Sequence, residues 1–136
     1  MNSTTDGQLT GPIDRFVRFL EVGESDRLFA DDVSAELNFP QVQMHASSAA
    51  ALVTMRRREH PGPTKVHVER LDRTERGWVV QLEEWWERDA ERWYSRELFR
   101  VDVEDDRIVG LVVYCTGDWD EGLQRAHAAG GGAAES

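Results

Sequence analysis

The sequence predicts an α+β domain in which three N-terminal helices pack on a curved antiparallel sheet. Apolar residues recur at helical spacing in the first part of the chain, and from residue 65 onward they alternate with polar ones. The breaks between the alternating runs are short and polar, which is the mark of a meander. At 136 residues, the chain is long enough for one compact domain.

Pro12 opens the first helix at a position where its missing N–H costs nothing. Ile13, Phe16, Val17 and Leu20 then form one buried stripe, and Gly23 ends the helix as a left-handed cap. A short second helix, capped near Ser25, carries Leu28 and Phe29 inward. Val33, Ala35, Leu37 and Phe39 alternate with Ser34, Glu36 and Asn38, so a half-buried strand follows, closed by Pro40. Ser47 or Ser48 caps a third helix through residues 49–55, and Pro61-Gly62 stops it at His60. Period-two strands are then expected over residues 65–73, 77–87, 92–103 and 107–116. Asp118 with Glu121 at the N3 spacing suggests a capping box for a last short helix. The domain is expected to span residues 12–127, between a flexible tail (1–11) and a low-complexity, disordered one (128–136).

Two strand registers can be derived. A turn on Asp89-Ala90 pairs Trp78 with Val101, Val80 with Phe99, Leu82 with Glu97, Glu84 with Ser95 and Trp86 with Trp93 on one face. The other face pairs Glu83 with Arg96 and Trp85 with Tyr94, both favourable cross-strand combinations. A turn on Asp105-Asp106, continued without interruption, sets Val103 against Ile108, Val101 against Gly110, Phe99 against Val112 and Glu97 against Tyr114. Val109, Leu111, Val113 and Cys115 then join Leu98 on the outer face. A strand apolar on both sides needs a cover, so a homodimer through that outer face is expected.

The composition excludes several roles. Sixteen Lys and Arg against 26 Asp and Glu give a formal charge of −10, unsuited to nucleic acid and to an anionic membrane surface. The longest apolar run, residues 108–115, is too short to span a bilayer, and residues 1–11 lack the pattern of a signal peptide. The lone Cys115 fits a reducing, cytoplasmic setting. No His/Cys cluster has metal spacing and no Gly-rich loop follows a strand, so neither metal nor cofactor is expected.

The order of elements, with the segments RFVRFLEVGESDRLFADDVSAELNFP (15–40) and DRIVGLVVYCTGDWD (106–120), resembles the nuclear transport factor 2-like superfamily. The resemblance implies a cystatin-like cone with a cavity between helices and sheet. Such folds host ketosteroid isomerases, SnoaL-like polyketide cyclases and limonene-epoxide-hydrolase-like enzymes, as well as proteins that only bind or dimerise. The positions matching the isomerases' functional residues hold Phe16, Leu37 and Phe99 (or Leu98), all apolar, which argues against the isomerase mechanism. A SnoaL-like acid/base aspartate would correspond to Asp118 or Asp120, following Tyr114. An epoxide-hydrolase set would draw on Arg96 or Arg100, which the register turns outward.

Glu97 and Tyr114, expected to face each other on the cavity side, form the leading acid/base pair, because an apolar surround raises a carboxyl's pKa. Glu84, Asp118 and His45 are further catalytic candidates. Trp78, Trp86 and Trp93, with Phe16, Leu37, Phe99 and Val112, are expected to line the cavity for a planar or ring-shaped ligand. His60 reads as a helix-end residue and Arg56-Arg57-Arg58 as a solvated cationic face. Cys115 points outward in this register, so it is not read as a nucleophile. The expected function is proton transfer on a small apolar ring compound without a cofactor: cyclisation, isomerisation or hydration. Alternatives are a non-catalytic ligand-binding or dimerisation module and, ranked lower, an epoxide hydrolase.

Overall fold

The computed structural model describes residues 11–130. In chain order the elements are α1 (Pro12–Val22), β1 (Phe29–Phe39), β2 (Val42–Ala46), α2 (Ala49–Glu59), β3 (Lys65–Arg73), β4 (Gly77–Arg88), β5 (Glu91–Glu104), β6 (Arg107–Cys115) and α3 (Glu121–Gly130). The six strands form one sheet in the order β2-β1-β6-β5-β4-β3. The expected tails at 1–10 and 131–136 lie outside the described residues, and helix α3 includes residues 128–130.

Helix α1 begins with Pro12 in its first turn and ends at Gly23, whose φ of 80° lets its N–H reach back to Phe19 O. Phe16, Phe19 and Leu20 form its buried stripe. Ser48 caps α2, accepting a hydrogen bond from the Ala51 N–H. Both hairpin turns fall where the sequence places them. Asp89-Ala90 and Asp105-Asp106 all have positive φ, as a tight turn matched to the sheet twist requires.

Three expectations change. The second helix expected near Ser25 is a turn, because Phe29 already belongs to β1 and Ile108 N–H bonds to Leu28 O. Ladder bonds outweigh a helix too short to cover its nucleation cost. The helices are therefore not grouped at the N-terminus: α2 lies between β2 and β3, and α3 follows the sheet. The sheet is mixed, since β1 runs parallel to β6. His45 lies on the short strand β2, antiparallel to β1.

The fourth difference concerns register. β4 and β5 pair along their whole length as the sequence predicts, from Trp78 with Val101 to Trp86 with Trp93. β5 and β6 begin as expected with Val103 opposite Ile108, but Asp102 next faces Gly110 rather than Val109. Val109 is the extra residue of a β-bulge, and beyond it every side chain of β6 changes face. Leu111 and Val113 are buried in the core, while Val112 and Tyr114 turn outward. The core lies between the inner sheet face and α1, centred on Phe16, Leu28, Val33, Val80, Leu82, Val101 and Ile108.

Candidate functional site

A cavity of about 240 Å³ opens between the sheet, α1 and α2. Its walls are mostly apolar: Phe16, Phe19, Phe29, Leu37, Phe99, Leu111 and Val113 among others. Its polar groups are few: Arg56 and Glu59 from α2, His60 at the end of that helix, Glu97 from β5, and Cys115 and Asp118 from β6 and the loop after it. A mainly apolar pocket with a few convergent polar groups is the usual form of a small-molecule site.

Behind the cavity wall sits a buried ionic cluster. Glu84 is fully buried, and the guanidinium of Arg56 grips it with two hydrogen bonds, at 2.6 and 3.2 Å. The Thr64 hydroxyl donates to the same carboxylate at 3.0 Å, and Arg56 also donates to Leu20 O at 2.6 Å. Burial opposes ionisation of Glu84, but the charge and hydrogen bonds of Arg56 outweigh it and hold its carboxyl below the ordinary value. A charge-assisted fork of this kind is the arrangement that makes a buried carboxylate tolerable.

Glu97 is the other carboxyl, 6% exposed and on the cavity wall. Its Oε2 accepts a hydrogen bond from Ser95 Oγ at 3.1 Å and a longer one from the Cys115 thiol. Its Oε1 is buried and receives no donor. Burial, then the negative charge of the neighbouring Glu84, push Glu97 well above the usual carboxylate range. Of the two carboxyls, Glu97 is thus the one biased toward the protonated form and Glu84 the one biased toward the carboxylate.

Around them, burial brings His60 down to about 4, so its imidazole is neutral at ordinary pH; its ring meets Trp86 edge-on at 4.5 Å. Burial pushes the Cys115 thiol up, which makes it a poor nucleophile. Gly117, with φ of 86°, turns the chain so that Asp118 stands at the cavity mouth, where partial desolvation raises its carboxyl.

Among the sequence candidates, Phe16, Leu37, Phe99, Glu97 and Asp118 line the cavity, and Glu84 supports it from behind. Tyr114 does not: it is 59% exposed on the outer face opposite Leu98, and Cys115 takes the place expected for it beside Glu97. The bulge at Val109 causes both corrections, and it also moves Val112 outward, opposite Arg100. His45 is exposed on β2, in a separate open depression with Glu36 and Arg100. The tryptophans stay behind or beside the cavity. Trp78 packs against Phe16, Trp86 against His60, and Trp93 lies under the guanidinium of Arg88. Asp120 rather than Asp118 caps α3, with Oδ1 accepting the Leu123 N–H at 2.8 Å. That leaves Asp118 free of capping duty.

Arg56 is the residue that the sequence reading missed. Only 13% of its side chain is exposed, while Arg57 and Arg58 beside it are solvated. The signal was its spacing: Arg56 follows the buried Leu52 by four residues and therefore shares its face.

No family model and no curated protein matches the sequence. Solved structures match it at the level of fold. An NTF2-like protein from Anabaena variabilis is 16% identical, with a TM-score of 0.63 over 79% of this chain and 85% of that one. A protein with a ketosteroid isomerase-like fold from Catenulispora acidiphila, in complex with trimethylamine, is 8% identical, with a TM-score of 0.64 over 77% and 85%. An LEH-like epoxide hydrolase from M. tuberculosis is 18% identical, with a TM-score of 0.61 over 87% and 90%. At these identities the likeness is one of fold, and the chain has the nuclear transport factor 2-like fold that its sequence resembles.

Proposed function

We propose that the cavity receives a small, largely apolar ring compound and that the protein acts on it by proton transfer without a cofactor. The observation that carries this reading is a buried carboxyl, Glu97, on the wall of an apolar cavity, with burial and the neighbouring Glu84 favouring its protonated form. Glu97 would donate its proton to a substrate oxygen, and the resulting carboxylate would take a proton back as the product forms, so the side chain ends the cycle as it began. Arg56 and Glu84 are positioning residues. Arg56 keeps Glu84 ionised, and the charge on Glu84 helps keep Glu97 protonated. Tyr114 has no part in this scheme, because it faces away.

A non-catalytic binding module is the second reading, favoured by the scarcity of polar groups in the cavity. Epoxide hydrolysis ranks below both. The inward arginine is already engaged by Glu84 and Leu20 O, and Arg96 is exposed and paired with Glu69. Turnover and thermal stabilisation of wild type and Glu97→Gln, measured against cyclic ketones and epoxides, separate the readings. Proton transfer predicts turnover that falls roughly 100-fold or more in Glu97→Gln. Stabilisation by ligand with no turnover in either protein would assign the cavity to binding alone.

We further propose that a second copy of the chain covers the outer sheet face, where Leu98 and Tyr114 lie exposed opposite each other.

A further inference from the structure

Charge balance at the inner end of the cavity points to the kind of molecule it holds. Two carboxyls, Glu84 and Glu97, meet one guanidinium, Arg56, and both nitrogens that Arg56 directs at Glu84 are committed to that carboxylate and to Leu20 O. With Glu84 ionised, the cluster is neutral only while Glu97 keeps its proton. A second buried negative charge without a partner would carry the full cost of desolvation. Glu97 Oε1, buried and without a donor, marks the place where a further positive charge would be received.

The rest of the cavity suits such a charge. From α1, β1 and β2 it presents apolar groups, among them the rings of Phe16, Phe19, Phe29 and Phe39 and the thioether of Met44. Aromatic faces attract cations, most strongly where water is excluded. The ionisable groups facing Glu97 are Arg56 and Glu59 from α2, His60 at the end of that helix, Glu84 from β4, and Cys115 and Asp118 at the end of β6. His60 is neutral, while Glu59 and Asp118 at the mouth are acidic, in a chain whose formal charge is −10. Arg88 lies near Asp118 and His60, and the net charge of the whole chain favours the approach of cations over anions.

We propose that the cavity takes a small apolar cation of the organic ammonium class, whose positive charge replaces the proton on Glu97. Binding then releases one proton to solvent: cation and neutral carboxyl become a cation–carboxylate pair plus H⁺, and no bond other than the Glu97 O–H breaks. The inference rests on the cavity being the small-molecule site, and because Glu97 is ionised in this complex it belongs with the binding reading and not with proton donation by Glu97.

Phenyltrimethylammonium and its neutral isostere tert-butylbenzene test it, because the ammonium has no proton of its own to give. Titration calorimetry of the full chain in buffers of different ionisation enthalpy reads both affinity and proton release. The cation is expected to bind roughly tenfold or more tighter than the isostere and to release close to one proton. Its affinity should rise with pH until Glu97 ionises in the free protein, then level off. In Glu97→Gln the proton release and the preference for the cation should both disappear while tert-butylbenzene still binds. Equal binding of the two probes with no proton released overturns the cation inference and leaves the cavity reading intact. Binding of neither overturns both.

Discussion

At the scale of single residues, the site depends on two neighbouring glutamates, Glu97 on the cavity wall and Glu84 behind it, whose surroundings push their carboxyls in opposite directions. Arg56 forks onto Glu84 and makes it the carboxylate; Glu97 has only Ser95 and a thiol for company and remains the acid. The consequence for stability has a definite sign. The folded pKa of Glu97 lies above the ordinary 4.5, so its contribution is fully present below about that pH. As pH rises further, the unfolded chain loses this proton while the folded chain keeps it, and stability declines until folded Glu97 ionises. His60 acts oppositely, since its folded value near 4 lies below the ordinary 6.5 and stability falls as pH drops between the two. Glutamine cannot titrate. Urea unfolding of Glu97→Gln should therefore show a stability gain over wild type that is absent at acid pH and grows as pH rises past about 4.5. A difference that does not vary with pH would mean that Glu97 is not held neutral.

At the scale of elements, the decisive feature is one extra residue in β6. Without the bulge at Val109, Tyr114 and Val112 would face the cavity, and Leu111 and Val113 would face out. The expected energetic outcome follows from the observed faces. Leu111→Ala should cost about 2–5 kcal/mol, because it leaves a void in the core, whereas Tyr114→Ser should stay within about 0.5 kcal/mol in the monomer. Equilibrium denaturation of the two variants checks this, and the reverse order would restore the uninterrupted register. The β4–β5 hairpin was legible because its pattern is redundant: alternating burial, the Glu83/Arg96 and Trp85/Tyr94 pairs and the turn at Asp89-Ala90 all agree. β6 is apolar at nearly every position, so a shift by one residue replaces one hydrophobic side chain with another and leaves no trace in the pattern.

At the scale of the whole molecule, the outer sheet face is the surface left uncovered. Leu98 is 43% exposed and lies beside Tyr114 across β5 and β6. Sedimentation equilibrium at micromolar concentration is expected to give a dimer, and Leu98→Glu with Tyr114→Lys to give a monomer that keeps its fold. A wild-type monomer under those conditions removes the proposal for this face.

Periodicity, turn residues and caps are local properties, and they were enough to place α1, α2 and the four strands of the meander, to pair β4 with β5, and to set Glu97 and Glu84 on the inner face of the sheet. Pairings between distant segments leave no comparable local trace. The parallel contact of β1 with β6 erased the expected second helix and made the sheet mixed. Packing α2 against the sheet drew Arg56 out of what read as a solvated run and onto a buried carboxylate. In both cases the outcome was set by which distant backbone bonds and charges needed a partner once water was excluded.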